Sequence, residues 1–213
     1  MDAAYWHQRW ESSDISFHEA ESNTGLVRHF EKLAVAEGSR VFVPLCGKTL
    51  DIAWLLSKGY RAVGVELSEL AIEQLFAELG LLPKVTVTGK FRKFSAKNID
   101  IYVGDIFDVS KSTLGPVAAV YDRAALVALP EETRRRYAAH LVEITANAPQ
   151  LLITFVYDQS LMEGPPFSLS AAEVDEHYGE SHAATSVECT DIPGGLKGIC
   201  PAKTQVWLLT VDF

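Results

Sequence analysis

The sequence predicts an α/β fold: a doubly wound, mostly parallel sheet of seven strands, preceded by a helical segment and closed by an antiparallel C-terminal edge. Three observations carry that expectation. From Val41 to Glu66, an apolar strand, a tight turn, a short helix and a second apolar strand follow one another as a βαβ unit. Five apolar runs of strand length alternate with helical stretches, as in a sheet covered on both faces. The turn at 44–48, Glu66, Asp105 and Arg123 all fall at the carboxyl ends of expected strands, where such sheets bind ligands.

The elements follow in order. Tyr5 to Trp10 and Gly25 to Leu33 read as helices, and Leu26, Phe30 and Leu33 recur at helical spacing, giving one face to bury. Arg40 to Val43 is a buried strand that breaks at Pro44 into a turn containing Gly47. A helix over Leu50–Leu56 stops by Gly59, and its N-terminus beside the strand end is electropositive. Arg61 to Glu66 is the second strand. Ser68 suits an N-cap and Glu69 a first turn, ahead of the stripe Ile72, Leu75, Phe76 and Leu79, which ends at Gly80. Residues 85–103 hold three short strand candidates and read as a hairpin-like insertion around the third strand, Ile99–Val103. Val117–Tyr121 is the fourth strand and ends in Asp122 and Arg123. After Pro130 comes a helix with Glu131 and Glu132 in its first turn and Tyr137, Leu141 and Ile144 inward. Leu151–Tyr157 is the fifth strand. A helix over about 170–178 and two strands near 184–192 and 203–211 complete the chain.

With 213 residues, the chain suits one domain, residues 1–213, with 1–36 lying over the core as a helical lid. A formal net charge of −9 disfavours nucleic acid as a partner, because phosphates would be repelled. No run approaches the roughly 20 apolar residues of a membrane span. The first residues have neither a basic region nor an apolar core of the secretory kind. Three cysteines, at 46, 189 and 200, show no metal-ligand spacing and suit a reducing compartment. No His pair has ligand spacing, so no metal is expected. The expectation is a cytoplasmic protein that works as a monomer.

The turn Pro44-Leu-Cys-Gly-Lys-Thr49 has one glycine. A dinucleotide site needs G-x-G-x-x-G for its pyrophosphate, and a P-loop needs a further glycine where Phe42 stands. Glu66 lies 19 positions beyond Gly47, close to the spacing at which an acid meets a ribose diol. A nucleoside cofactor without phosphates fits: S-adenosylmethionine, with its ribose at Glu66, its adenine near Asp105 and Ile106, and its methionine portion across the turn. Two rival readings share these signals: a nicotinamide-dependent oxidoreductase, and a non-catalytic protein that senses S-adenosylmethionine.

Further motifs narrow the choice. Trp6 and Trp10, Ile15-Ser-Phe-His18, Val43-Pro-Leu-Cys-Gly-Lys48, Gly64-Val-Glu-Leu-Ser68, Asp105-Ile-Phe-Asp108, Tyr121-Asp-Arg-Ala-Ala-Leu126 and Gly164-Pro-Pro-Phe167 stand in one order. Together they resemble the thiopurine S-methyltransferase family, from about residue 5 to the C-terminus. The short N-terminus is similar to the bacterial branch. The resemblance implies a Rossmann-like, class I S-adenosylmethionine-dependent methyltransferase acting on aromatic or heterocyclic thiols, with selenium and tellurium compounds as suggested alternatives. It implies cofactor contacts from Trp10, Leu45, Gly47, Glu66, Asp105, Ile106 and Arg123, and acceptor contacts from Phe17 and Arg123. From Ala184 onward the chain departs most from eukaryotic members.

Methyl transfer to sulfur is an in-line displacement, and an aryl thiol is largely ionised near neutral pH. No covalent or acid–base residue is therefore expected, and the work is positioning, with Arg123 holding the heterocycle. Several residues have plainer readings. Asp105 also suits a turn cap, and Arg123 a local pair with Asp122. Cys46 is expected as a small buried residue, Lys48 as solvent-facing, and Arg134-Arg-Arg136 as a solvated helix face. His18, beside Phe17, is the one histidine placed to matter.

Overall fold

The computed structural model describes residues 3–15 and 18–211. Two helices come first, α1 (Ala3–Glu11) and α2 (Thr24–His29), the latter running on into a 3-10 turn. Then follow β1 (Arg40–Pro44), α3 (Asp51–Ser57), β2 (Arg61–Glu66) and α4 (Glu69–Glu78). The middle of the chain forms β3 (Lys84–Thr88), β4 (Phe91–Ala96), β5 (Ile99–Val103), α5 (Lys111–Leu114) and β6 (Ala119–Arg123). The last part is α6 (Glu131–Thr145), β7 (Gln150–Tyr157), α7 (Ala171–Tyr178), β8 (Ala183–Asp191) and β9 (Ala202–Thr210).

All strands join one sheet in the order β3-β4-β5-β2-β1-β6-β7-β9-β8. The five central strands pair in parallel and are the five runs that alternate with helices in the sequence. β8 and β9 form the expected antiparallel edge beside β7. Among the described residues the sheet has nine strands, which corrects the expected seven. The hairpin of β3 and β4 does not stand apart as an insertion; it continues the sheet past β5, strand by antiparallel strand. Free backbone groups on the edge of β5 find partners there, which a separate hairpin would leave to water.

Period-two alternation sorts the two cores. Phe42, Val63, Val65 and Val120 face one side, where Tyr137, Leu141 and Ile144 of α6 and Val174 of α7 cover them. Val41, Val43, Ala62 and Tyr121 face the other, under Leu26 and Phe30, Ile52 and Leu55, and the α4 stripe of Ile72, Leu75 and Phe76. Completely buried side chains of this size contribute about 1.5–3 kcal/mol each. Ser68 caps α4 through Ala71 N, and Ser170 with Glu173 forms a capping box on α7.

One expected solvated stretch is corrected. Arg134 is buried: Nη1 donates to Leu129 O at 2.9 Å, and Nη2 pairs with Glu173 at 3.0 Å. It bolts α6 to α7 and to the turn below from inside, while exposed Arg135 adds a surface pair with Glu176 of α7 at 3.1 Å. Two buried acids act in the same way. Asp51 accepts from Asn23 N at 2.7 Å and Tyr121 Oη at 2.9 Å, tying the segment before α2 to the start of α3 and to β6. Asp122 accepts from Leu126 N at 3.1 Å and Tyr137 Oη at 2.8 Å.

Candidate active site

β1 lies between β2 and β6, so the chain leaves its carboxyl end toward one neighbour and returns on the other side. The crevice opens where that order reverses. Past Pro44 the backbone turns sharply: Leu45 takes φ +45° and Gly47 φ +50°, both left-handed. A Cβ on Gly47 would lie 2.9 Å from Trp10 Cζ2, so the indole of α1 rests directly on the turn. Cys46 N donates to Val65 O at 3.1 Å, and the thiol fits because Gly64 has no side chain, a Cβ there lying 2.9 Å from Cys46 Sγ. Cys46 is buried as expected, and burial pushes its thiol well up, which disfavours the thiolate form.

Glu66 closes the turn from β2. Its Oε2 accepts from Gly47 N and its Oε1 from Ser68 N, each at 2.8 Å. Burial raises its pKa, opposed by the backbone N–H groups of Ser68, Gly47 and Leu67. A carboxylate has about four lone-pair sites, so capacity remains beyond these backbone bonds for a hydroxyl donor from the cavity, which Glu66 lines. From β5 the next wall arises. Asp105 Oδ1 accepts from Phe107 N at 2.9 Å, the turn-cap role, while its side chain borders the cavity. Ile106 is buried beside it, its carbonyl accepting from His140 Nε2 at 2.9 Å. His140 has no motif around it, and sequence reasoning missed it.

The opposite wall is β6. Arg123 is followed by Ala124 at φ +59°, a left-handed alanine that turns the chain into the 3-10 turn at 126–128. The Asp122 carboxylate below holds that turn. Arg123 does not pair with Asp122; it forms an ion pair with Glu19, a residue the sequence did not single out. Lys48 is corrected too: its ammonium is mostly shielded and pairs with Glu78 at 2.7 Å rather than facing solvent. His18 borders the same space, its pKa lowered by burial first and by Lys48 second. Phe17 lies outside the described residues.

These walls enclose a cavity of about 690 Å³. Trp10, Leu45, Gly47, Glu66, Asp105, Ile106 and Arg123 all line it, as do Trp6, Arg9 and Val127. Its far rim is made by Pro165, Leu196 and Lys197, with Lys197 Nζ donating to Pro165 O at 2.8 Å. The C-terminal segment thus reaches the site, which its sequence alone did not reveal. The volume suits a nucleoside and a second ring together; Glu66 and Asp105 line it as acids, the Arg123–Glu19 pair faces it, and Arg9, Lys48 and Lys197 add cations to its lining.

Comparison with known proteins gives the family and the fold. The family model described as thiopurine S-methyltransferase matches residues 1–209. A thiopurine S-methyltransferase of Xanthobacter autotrophicus is 55% identical over 98% of this chain and 99% of its own. One from Teredinibacter turnerae is 49% identical over 99% and 98%. Among solved structures, the 1,6-didemethyltoxoflavin-N1-methyltransferase of Burkholderia thailandensis, with S-adenosylhomocysteine bound, superposes with TM-score 0.66 at 15% identity, over 98% of this chain and 87% of that one. A methyltransferase from Anabaena variabilis gives the same TM-score and identity over 99% and 95%. At such identity these two speak for the fold alone.

Proposed function

The chain belongs to the thiopurine S-methyltransferase family, and on that premise we propose that it moves the methyl group of S-adenosylmethionine to the sulfur of an aromatic or heterocyclic thiol. The observation that carries the cofactor assignment is the Gly47–Glu66 arrangement. A backbone without Cβ at the turn and a buried carboxylate, already holding the backbone N–H groups of Gly47 and Ser68, suit an uncharged sugar diol rather than an anionic pyrophosphate.

S-Adenosylmethionine supplies a methyl group on a cationic sulfur. Glu66 would hold the ribose hydroxyls, Asp105 and Ile106 the adenine edge, and Leu45 and Gly47 the methionine chain. Trp10, packed on Gly47 and bordering the cavity, would offer its π face to the cationic end, a contact worth about 0.5–2 kcal/mol. Arg123 and Phe17 would hold the acceptor, keeping sulfur, methyl carbon and leaving sulfur in line. Alignment of this kind is worth up to ~7–11 kcal/mol. α1, whose Trp10 packs on Gly47, would act as a lid that keeps water from the sulfur nucleophile. Three free cysteines suit a reducing compartment, and we place the enzyme in the cytoplasm as a monomer.

The test is turnover of an aryl thiol with methyl-labelled S-adenosylmethionine. Label in the thioether is the expected result. Binding of the methyl donor without transfer to any aryl or heterocyclic thiol would leave a sensor instead.

A further inference from the structure

Arg123 is not an isolated cation at the acceptor end of the cavity. Its Nη2 is ion-paired with Glu19 Oε1, and both side chains line the same space. The guanidinium is sunk, 11% exposed, whereas the Glu19 carboxylate is 47% exposed and open to incoming groups. Glu19 is held in place. Its Oε2 accepts from Asn23 Nδ2 at 3.3 Å, and Asn23 N in turn donates to buried Asp51 at 2.7 Å. The segment carrying Glu19 is therefore anchored to the start of α3, next to the turn that faces the cofactor.

This pairing changes what the pocket reads. A lone arginine would favour an anionic thiolate. A carboxylate beside it cancels that charge and repels an anion arriving at the same place. The two groups together offer an acceptor and a set of spare guanidinium donors side by side. That is the complement of a neutral ring edge carrying both an N–H and a lone pair.

Building on the thiol-methyltransferase reading, we propose that Glu19 and Arg123 together select a neutral heteroaromatic thione, Glu19 accepting its ring N–H while Arg123 donates to a ring lone pair. Glu19 also receives the proton. As the thione sulfur bonds to the methyl carbon, the electron pair of the broken bond stays on the donor's sulfur, and the alkylated ring becomes cationic. Its N–H proton then passes to the Glu19 carboxylate, whose exposed side returns it to water. Charge and protons balance with no further reactant.

The test compares kcat/KM for 6-mercaptopurine, which has ring N–H groups and lone pairs, with that for thiophenol, which has neither. Wild type, Glu19→Ala and Glu19→Gln are measured, with thermal melts to show that each is folded. A site built around a hydrogen bond discriminates strongly once a partner is removed. The ratio of the two constants is expected to fall about tenfold or more in Glu19→Ala. Glu19→Gln, which keeps the shape and one acceptor oxygen but takes no proton, is expected to fall between. If Glu19→Ala does not fold, Glu19→Gln alone decides. A fall of less than threefold in the deciding variant, whatever the absolute rates, makes Glu19 a lid anchor and overturns the proposal. Wild type that methylates neither compound would instead defeat the broader functional reading, and this one with it.

Discussion

Replacing Glu66 by glutamine tests the centre of the cofactor site. Each carboxylate oxygen of Glu66 accepts one buried backbone N–H, from Gly47 and from Ser68. Glutamine supplies one oxygen and one NH2, so one of those donors faces another donor, which costs about 1–3 kcal/mol. Neutralising a buried carboxylate offsets part of that cost, since burial already holds its pKa high. The loss on binding is separate: charge-assisted bonds to the ribose hydroxyls are worth about 1.5–3 kcal/mol each. At 1.4 kcal/mol per factor of ten, losing one such bond raises Kd for S-adenosylhomocysteine about 10- to 100-fold. Isothermal titration of the folded variant reads this directly. The pH dependence has a definite sign. Because the folded pKa of Glu66 is raised, its contribution to stability falls as pH rises through that value. Cofactor affinity moves the other way, rising as the carboxylate ionises, and the glutamine variant loses that slope. A Kd within threefold of wild type at a pH where Glu66 is ionised would show that the ribose does not sit on Glu66.

Four further outcomes are expected. Gly47→Ala puts a methyl group 2.9 Å from Trp10 Cζ2 at a left-handed φ, so the cofactor Kd should rise about tenfold with ~1–2 kcal/mol of lost stability, read by titration and thermal melts. Burial pushes Asp122 up to about 6 from 3.8, so folding stability should fall by ~3 kcal/mol as pH rises from below 4 to above 6; urea melts across that range should show a flatter profile for Asp122→Asn. Arg123→Lys keeps the charge but loses the planar fork, and kcat/KM should drop at least tenfold; full retention would deny Arg123 an acceptor role. Deletion of residues 1–18 removes α1 and its indole over Gly47, and should abolish cofactor binding while leaving a cooperative melt; unchanged affinity would refute the lid.

The five parallel strands, the helices between them and the antiparallel end were legible in the residue pattern, because period-two and period-3.6 burial is written locally. Glu66, Gly47, Asp105 and Arg123 were legible for the same reason: each ends an apolar run, and strand ends in an open α/β sheet converge. The lining of the cavity by Trp10 and Leu45 followed from family motifs rather than from spacing. What local pattern does not encode is which distant side chain meets which. Lys48 reads as a surface residue until α4 brings Glu78 to it, and Arg134 reads as one of three solvated arginines until α7 brings Glu173. Glu19 has no motif at all; its meaning arises when the anchor from Asn23 to Asp51 swings it over β6 to Arg123. The same holds for the continuation of the sheet by the 84–96 hairpin and for Lys197 at the rim. Elements and their inward faces come from short-range sterics and solvent preference along the chain, whereas charge pairing and the shape of the cavity are long-range and exist only once the sheet has closed its order.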